Sequence, residues 1–187
     1  MGADLRNNGQ FIATGDPATV DEATPFVLGQ LGHVTALVKT DYPKLPRLFQ
    51  FVQRTSDDGL TIAAGKTAKW VDYDDFKVTM DSSESFDGVG VNHVAGIFLG
   101  TKPTAGSYGY IQVGGIADVF IKETPTTTPT ITGLPVIDTT SDGVCDVIVA
   151  YDSSTVARTA QVIAKTIETG TGNSATECIL LIDRVGW

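Results

Sequence analysis

The chain has 187 residues, 42% of them hydrophobic, with 13 basic and 22 acidic side chains and a net charge of −9. That length fits one domain, or a domain with an arm, and is enough to bury a substantial core. The acid excess comes without a basic stripe, which argues against direct nucleic-acid binding because phosphate contacts need clustered Lys and Arg. No run of about 18 apolar residues is present, so no membrane-spanning helix is expected.

Residues 1–25 are polar, with isolated apolar side chains at Leu5, Phe11, Ile12 and Val20. Neither a strand nor a helix period holds there, so the segment reads as an extended N-terminal arm that gains order against something else. Leu5, Phe11 and Ile12 are its candidate interface contacts. The opening MGADLRNNGQ has no basic stretch followed by an apolar one, and Arg6 breaks the myristoylation pattern. The expected compartment is therefore cytoplasm-like.

The body, 26–187, is rich in Gly, Thr, Val and Ile, a composition that favours strands and turns. FVLGQLGHVTALVKT predicts a glycine-broken strand and then a clean one over 34–39. TDYPKLPRL carries two prolines, which predicts no regular element through it. FQFVQRT alternates, with Phe49 and Phe51 on one face. Two short strands follow around Ala-Ala-Gly and Asp-Tyr-Asp-Asp, then GVGVNHVAGIFLGT, another glycine-punctuated strand.

GSYGYIQVGGIADVFIK, residues 106–122, is the most informative stretch. Ile111, Val113, Gly115, Ala117, Val119 and Ile121 make one apolar face at period two. The other face is half apolar, and Gly114 and Gly115 interrupt the middle. Those glycines either let a long strand bend or bulge, or let another backbone approach closely. Ile116 and Phe120 on the second face are candidate interface residues, facing a neighbouring subunit or a covering loop. The Thr/Pro-rich 123–133 is an exposed connection. PVIDTT, the turn SDG, VCDVIVAY and a terminal hairpin around GTGNSA complete the chain. Residues 153–167 fit a short helix or a strand, and their Val, Ile and Thr content favours the strand. About ten turn-punctuated strands predict an all-β fold, a small β-barrel or β-sandwich.

No arrangement points to catalysis. The two histidines, His33 and His93, lie in apolar glycine-rich contexts, and no nucleophile elbow is present. Cys145 and Cys178 read as buried free thiols, and Asp72, Asp74 and Asp75 as a charged turn rather than a calcium loop. No catalytic, cofactor or metal residues are assigned. Trp70, Tyr73, Tyr108, Tyr110 and Phe120 are an aromatic set from which a glycan-binding face would be built.

One block carries a resemblance. Val94-Ala95-Gly96-Ile97, Thr104-Ala105-Gly106, Tyr108-Gly109-Tyr110-Ile111-Gln112-Val113, Gly115, Ala117 and Val119 resemble a cadence of tailed-bacteriophage capsid decoration, or cement, proteins. VIAKTIETGTGNSATECILLI is similar to their strand–turn–strand ending. The resemblance covers 94–121 well and 134–182 loosely. It implies a non-enzymatic, β-rich structural protein on the capsid exterior, assembled in the host cytoplasm. Its implied partners are the major capsid protein and its own copies, as a homotrimer, with no cofactor. A tail or head–tail connector protein and a glycan-binding surface module are the alternatives.

Overall fold

The computed structural model describes residues 4–6, 10–12, 17–22, 34–38, 46–56, 59–84, 94–122, 132–139, 141–148, 162–170 and 174–182. Twelve strands are present among them: β1 Asp4–Arg6, β2 Gln10–Ile12, β3 Val34–Val38, β4 Pro46–Arg54, β5 Thr67–Asp72, β6 Lys77–Thr79, β7 Val94–Phe98, β8 Tyr108–Ile121, β9 Pro135–Asp138, β10 Cys145–Val147, β11 Val162–Thr166 and β12 Ser174–Leu180. No α-helix occurs among the described residues, so the fold is all-β.

β8 organises the molecule. Its 14 residues are far more than the usual strand length of about 5–6. Residues 108–114 pair with β4, and 115–121 pair with β12, both antiparallel. From the first half the pairing runs β8–β7–β5–β6–β4 and returns to β8. From the second half it runs β8–β12–β11–β9–β10 and returns through Cys145 opposite Ile121. Each circuit closes on five strands, so the body is barrel-like rather than a two-sheet sandwich. The closure removes most free sheet edges; β3 is an outer strand on β4.

Each barrel has its own core. Val52, Ile62, Ala68, Trp70, Val78, Met80, Ala95, Phe98, Ile111 and Val113 fill the first. Ala117, Val119, Ile121, Val136, Cys145, Ile163, Cys178 and Leu180 fill much of the second, joined by Val94 and Ile97. The apolar face of β8 thus serves the first core up to Val113 and the second from Ala117 onward. β7 is buried on both faces for the same reason: Ala95 and Phe98 enter one core, Val94 and Ile97 the other.

The change-over falls at the glycine pair. Gly115 has φ +80°, a left-handed conformation, and the β4 pairing shifts register between Leu48 and Phe49, opposite Gly114 and Gln112. Gly114 is also closely approached, since a Cβ there would sit 3.0 Å from Leu48 Cδ1. Of the two roles open at the sequence level, the bend or bulge is filled at Gly115, while Gly114 makes room for the Leu48 side chain rather than for another backbone.

Two expectations are revised and one is met. The arm is not one extended run: β1 and β2 form a hairpin, and residues 17–22 lie on the chain's own body. Pro46 is not outside regular structure but is the first residue of β4, opposite Val38, a position where a strand tolerates proline. Residues 162–166 are strand, as the Val, Ile and Thr content of 153–167 favours; residues 151–161 and most of the 123–133 connection lie outside the described part.

Candidate functional site

The region built by the resembling block is the waist, where β7, β8 and the turn before β5 meet. Its strands come within backbone contact. A Cβ on Gly96 would stand 2.8 Å from the carbonyl oxygen of Gln112, so only glycine lets β7 approach β8 this closely. Gly65 threads between the barrels: its N–H donates to Phe98 O at 3.0 Å, and its carbonyl accepts from Phe120 N at 2.8 Å. It has φ +84°, and an added Cβ would meet Phe120 N at 3.1 Å.

A bulge frees carbonyls that the ladder no longer satisfies. The fully buried Gln112 takes them up: its Nε2 donates to Gly114 O at 3.1 Å and to Ile116 O at 2.7 Å. Arg47 from β4 donates to the same carboxamide's Oε1 from Nε and Nη2, at 3.0 and 2.6 Å. Arg47 also lies over the Phe49 ring, 5.2 Å from its centroid. A shallow dent beside this clamp is lined by Arg47, Gly65, Leu99, Gln112 and Asp118.

The second polar cluster is wholly internal. β5 buries Ala68 and Trp70 in the first core, and the alternate residues Thr67 and Lys69 are buried too. Lys69 Nζ donates to Ser82 Oγ at 2.8 Å and to Thr139 O at 2.7 Å, and lies 3.0 Å from Asp138 Oδ2. Both members of this ion pair have fully buried side chains. Besides Lys69, the Thr139 N–H and the Thr67 hydroxyl face the Asp138 carboxyl and favour its charged form, although neither oxygen receives a well-directed hydrogen bond among the described residues. Burial pushes the Asp138 carboxyl up to about 6 although Lys69 opposes the shift. Asp138 ends β9 of the second barrel, so the pair crosses the seam between the barrels.

The N-terminal segment is clasped to β8. Glu22 N donates to Tyr108 O at 2.9 Å, and Tyr108 N to Glu22 O at 2.8 Å. Asp21 accepts from Lys102 Nζ at 2.6 Å and from Thr104 N at 2.7 Å. Partial burial raises the Asp21 carboxyl, but Lys102 and Thr104 outweigh it and hold the group below its usual value. Val20 packs on the aromatic cluster Phe49, Phe51 and Tyr110. The fit depends on Gly109, where a Cβ would lie 2.7 Å from Val20 O. Gly109→Ala is therefore expected to release residues 17–22 while the barrels persist. Limited proteolysis checks this: cleavage near 17–22 should accelerate, and an unchanged cleavage pattern would show that the clasp does not depend on Gly109.

Ile116 is 4% exposed in the isolated chain, so it is already withdrawn from water and offers little to a neighbour. Phe120 is half-buried, with Lys66 Nζ 3.9 Å from its ring centroid. Leu5 and Phe11 are register partners in the β1–β2 hairpin, and Ile12 lies opposite Asp4. Of the aromatic set, Trp70 and Tyr110 are 2% and 4% exposed and present no ring face to solvent, whereas Tyr73, Tyr108 and Phe120 are half-buried. Trp70 packs on Tyr73 and Phe76, and Tyr110 meets Phe51 edge-on at 5.0 Å.

Among the remaining candidates, Asp72 Oδ1 accepts from Asp74 N and Asp75 N at 2.9 and 3.2 Å, closing its turn, and Asp75 pairs with Lys77 at 2.7 Å. The described residues contain no metal-ligating cluster of three or more groups. Cys145 and Cys178 are buried and unpaired. Burial raises the Cys145 thiol well above its usual value and pushes Cys178 up to about 12. His33 and His93 lie outside the described residues.

Comparison with known protein families and with curated protein sequences finds no match to the chain. The functional argument therefore rests on the residues. Sequence reasoning did not single out Lys69, Asp138, Arg47 or Asp21, and it quoted Gln112 only as part of the resembling block. A lysine within a strand ordinarily reads as solvent-facing, and no local signal ties Lys69 to a carboxylate at position 138.

Proposed function

We propose that the chain is a structural component of a tailed-bacteriophage particle, binding the outer capsid surface as an oligomer and stabilising the head. The observation that supports this reading best is where the resembling block falls. Val94–Phe98 is β7 and Tyr108–Ile121 is β8, the strand pair from which both barrels are built. Within it, Gly96, Gly109, Gln112 and Gly115 each meet a specific steric or hydrogen-bonding need of the fold. The resemblance thus concerns the scaffold, which is what a load-bearing shell protein and its relatives would share.

The net charge of −9 suits an exterior position better than one facing packaged DNA. The segment N-terminal to the clasp, which carries β1 and β2, supports the reading as an arm through which several weak contacts on one particle would add up. The testing experiment is co-sedimentation of the purified chain with heads that lack it. The chain is expected in the pellet, and Phe120→Asp, which puts a charge on the partly exposed β8 aromatic, is expected to reduce the bound fraction. Binding unaffected by Phe120→Asp would remove that residue from the interface.

A further inference from the structure

We propose that the Lys69–Asp138 pair makes the seam between the two barrels an acid-tightened lock: neutralising the Asp138 carboxyl lowers the cost of holding it inside, so the protein resists unfolding better in mildly acidic solution than at neutral pH. The geometry is specific. Asp138 sits at the end of β9, its side chain fully buried, with no well-directed hydrogen bond to either oxygen. An ionised carboxylate held this way has exchanged water for one cation at 3.0 Å, and desolvation of such a pair can exceed the attraction.

The groups facing Asp138 are few among the described residues. β5 contributes Lys69 and the Thr67 hydroxyl, the Thr139 N–H follows on the chain, and β10 contributes Cys145, its register partner; the lysine and the two threonine groups oppose the upward shift that burial imposes, and burial outweighs them. The Cys145 thiol is held well above its usual value and stays neutral. Asp142 accepts from Ser82 N at 2.8 Å, one step removed through the serine that Lys69 also contacts. Acidification therefore acts chiefly on Asp138 at this seam.

The direction follows from linkage. The folded-state value of about 6 lies above the ordinary 3.8. Between the two the folded protein binds more protons than the unfolded chain, so this group's contribution is fully present below the lower value and is lost as pH rises through the higher one. For that shift the unfolding constant rises about tenfold between about pH 5 and about pH 7.5. Asp21 acts oppositely but only in more acidic solution, because its carboxyl titrates below 3.8.

The test is urea unfolding of the wild type and Asp138→Asn across that range. The difference between them is the quantity read, since every other titratable group is common to both. The wild-type unfolding constant should rise about tenfold more than the variant's. Equal pH dependence in the two proteins would overturn the proposal. If Asp138→Asn does not fold, Lys69→Met/Asp138→Leu replaces it: loss of the extra pH dependence supports the lock, and its retention overturns it.

Discussion

Lys69→Ala should lower stability by about 3–5 kcal/mol, the largest effect expected of any single substitution in the interior polar clusters. The side chain has no exposed surface and meets Ser82 Oγ, Thr139 O and Asp138 Oδ2 at 2.8, 2.7 and 3.0 Å. Truncation leaves a cavity, two acceptors without their donor, and a carboxyl group deprived of its cation. Replacing both charges together, as Lys69→Met/Asp138→Leu, removes the unpaired groups as well as the pair. That double variant should be close to the wild type or more stable, because a buried ion pair often gains little over well-packed apolar residues. Equilibrium denaturation of the two variants separates the terms. A loss below about 1 kcal/mol for Lys69→Ala would mean that water reaches the seam and that the cluster is not sealed.

Gly115→Val should cost about 2–3 kcal/mol and should affect both barrels at once. Gly115 has φ +80°, where a β-branched residue is strained by an amount of this order. The position is also where β8 leaves β4 and takes up β12. Relieving the strain by moving to ordinary strand geometry would straighten the bulge and withdraw Gly114 O and Ile116 O from Gln112 Nε2. Near-ultraviolet circular dichroism of Trp70, in the first core, and thiol accessibility of Cys178, in the second, report the two barrels separately. Both should change in the same transition. A variant in which Cys178 becomes reactive while the Trp70 signal is untouched would show that the barrels are not coupled through β8.

Much of this architecture was legible in the sequence, and the gaps have physical causes. Strand positions from β5 onward followed from period-two patterning and from Gly, Asp and Pro at the turns, because those signals are local. The unusual strand announced itself through Gly114 and Gly115, and two roles for them were readable. That β8 serves two barrels was not, because it depends on Leu48 meeting Gly114 and Leu180 meeting Gly115, pairings set by tertiary register. Pro46 misled because proline's penalty vanishes at a strand's first residue. Alternation puts Ile116 on the second face, to be covered by a neighbour or by the chain itself; that the folded chain covers it depends on tertiary packing that the strand pattern does not carry. The Lys69–Asp138 cluster was invisible because burial of both faces of β5 is a property of the second barrel's position, not of the TAKWVD segment.

The candidate site divides in the same way. The motif residues Gly96, Gly109, Gln112 and Gly115 all lie within the resembling block 94–121, and each has a structural task in the fold. The surface that would meet a capsid was less readable, because contact surfaces are set by which strand faces remain uncovered after folding. Of the residues proposed on β8, Phe120 keeps an exposed part and Ile116 does not.

The most direct measurement is sedimentation of the purified chain with heads that lack it, over a range of chain concentrations. Capsid binding predicts that the chain moves into the pellet with the heads, saturably, at a fixed ratio to the major capsid protein. A chain that stays in the supernatant at every concentration, while the heads pellet intact, would contradict the proposed function.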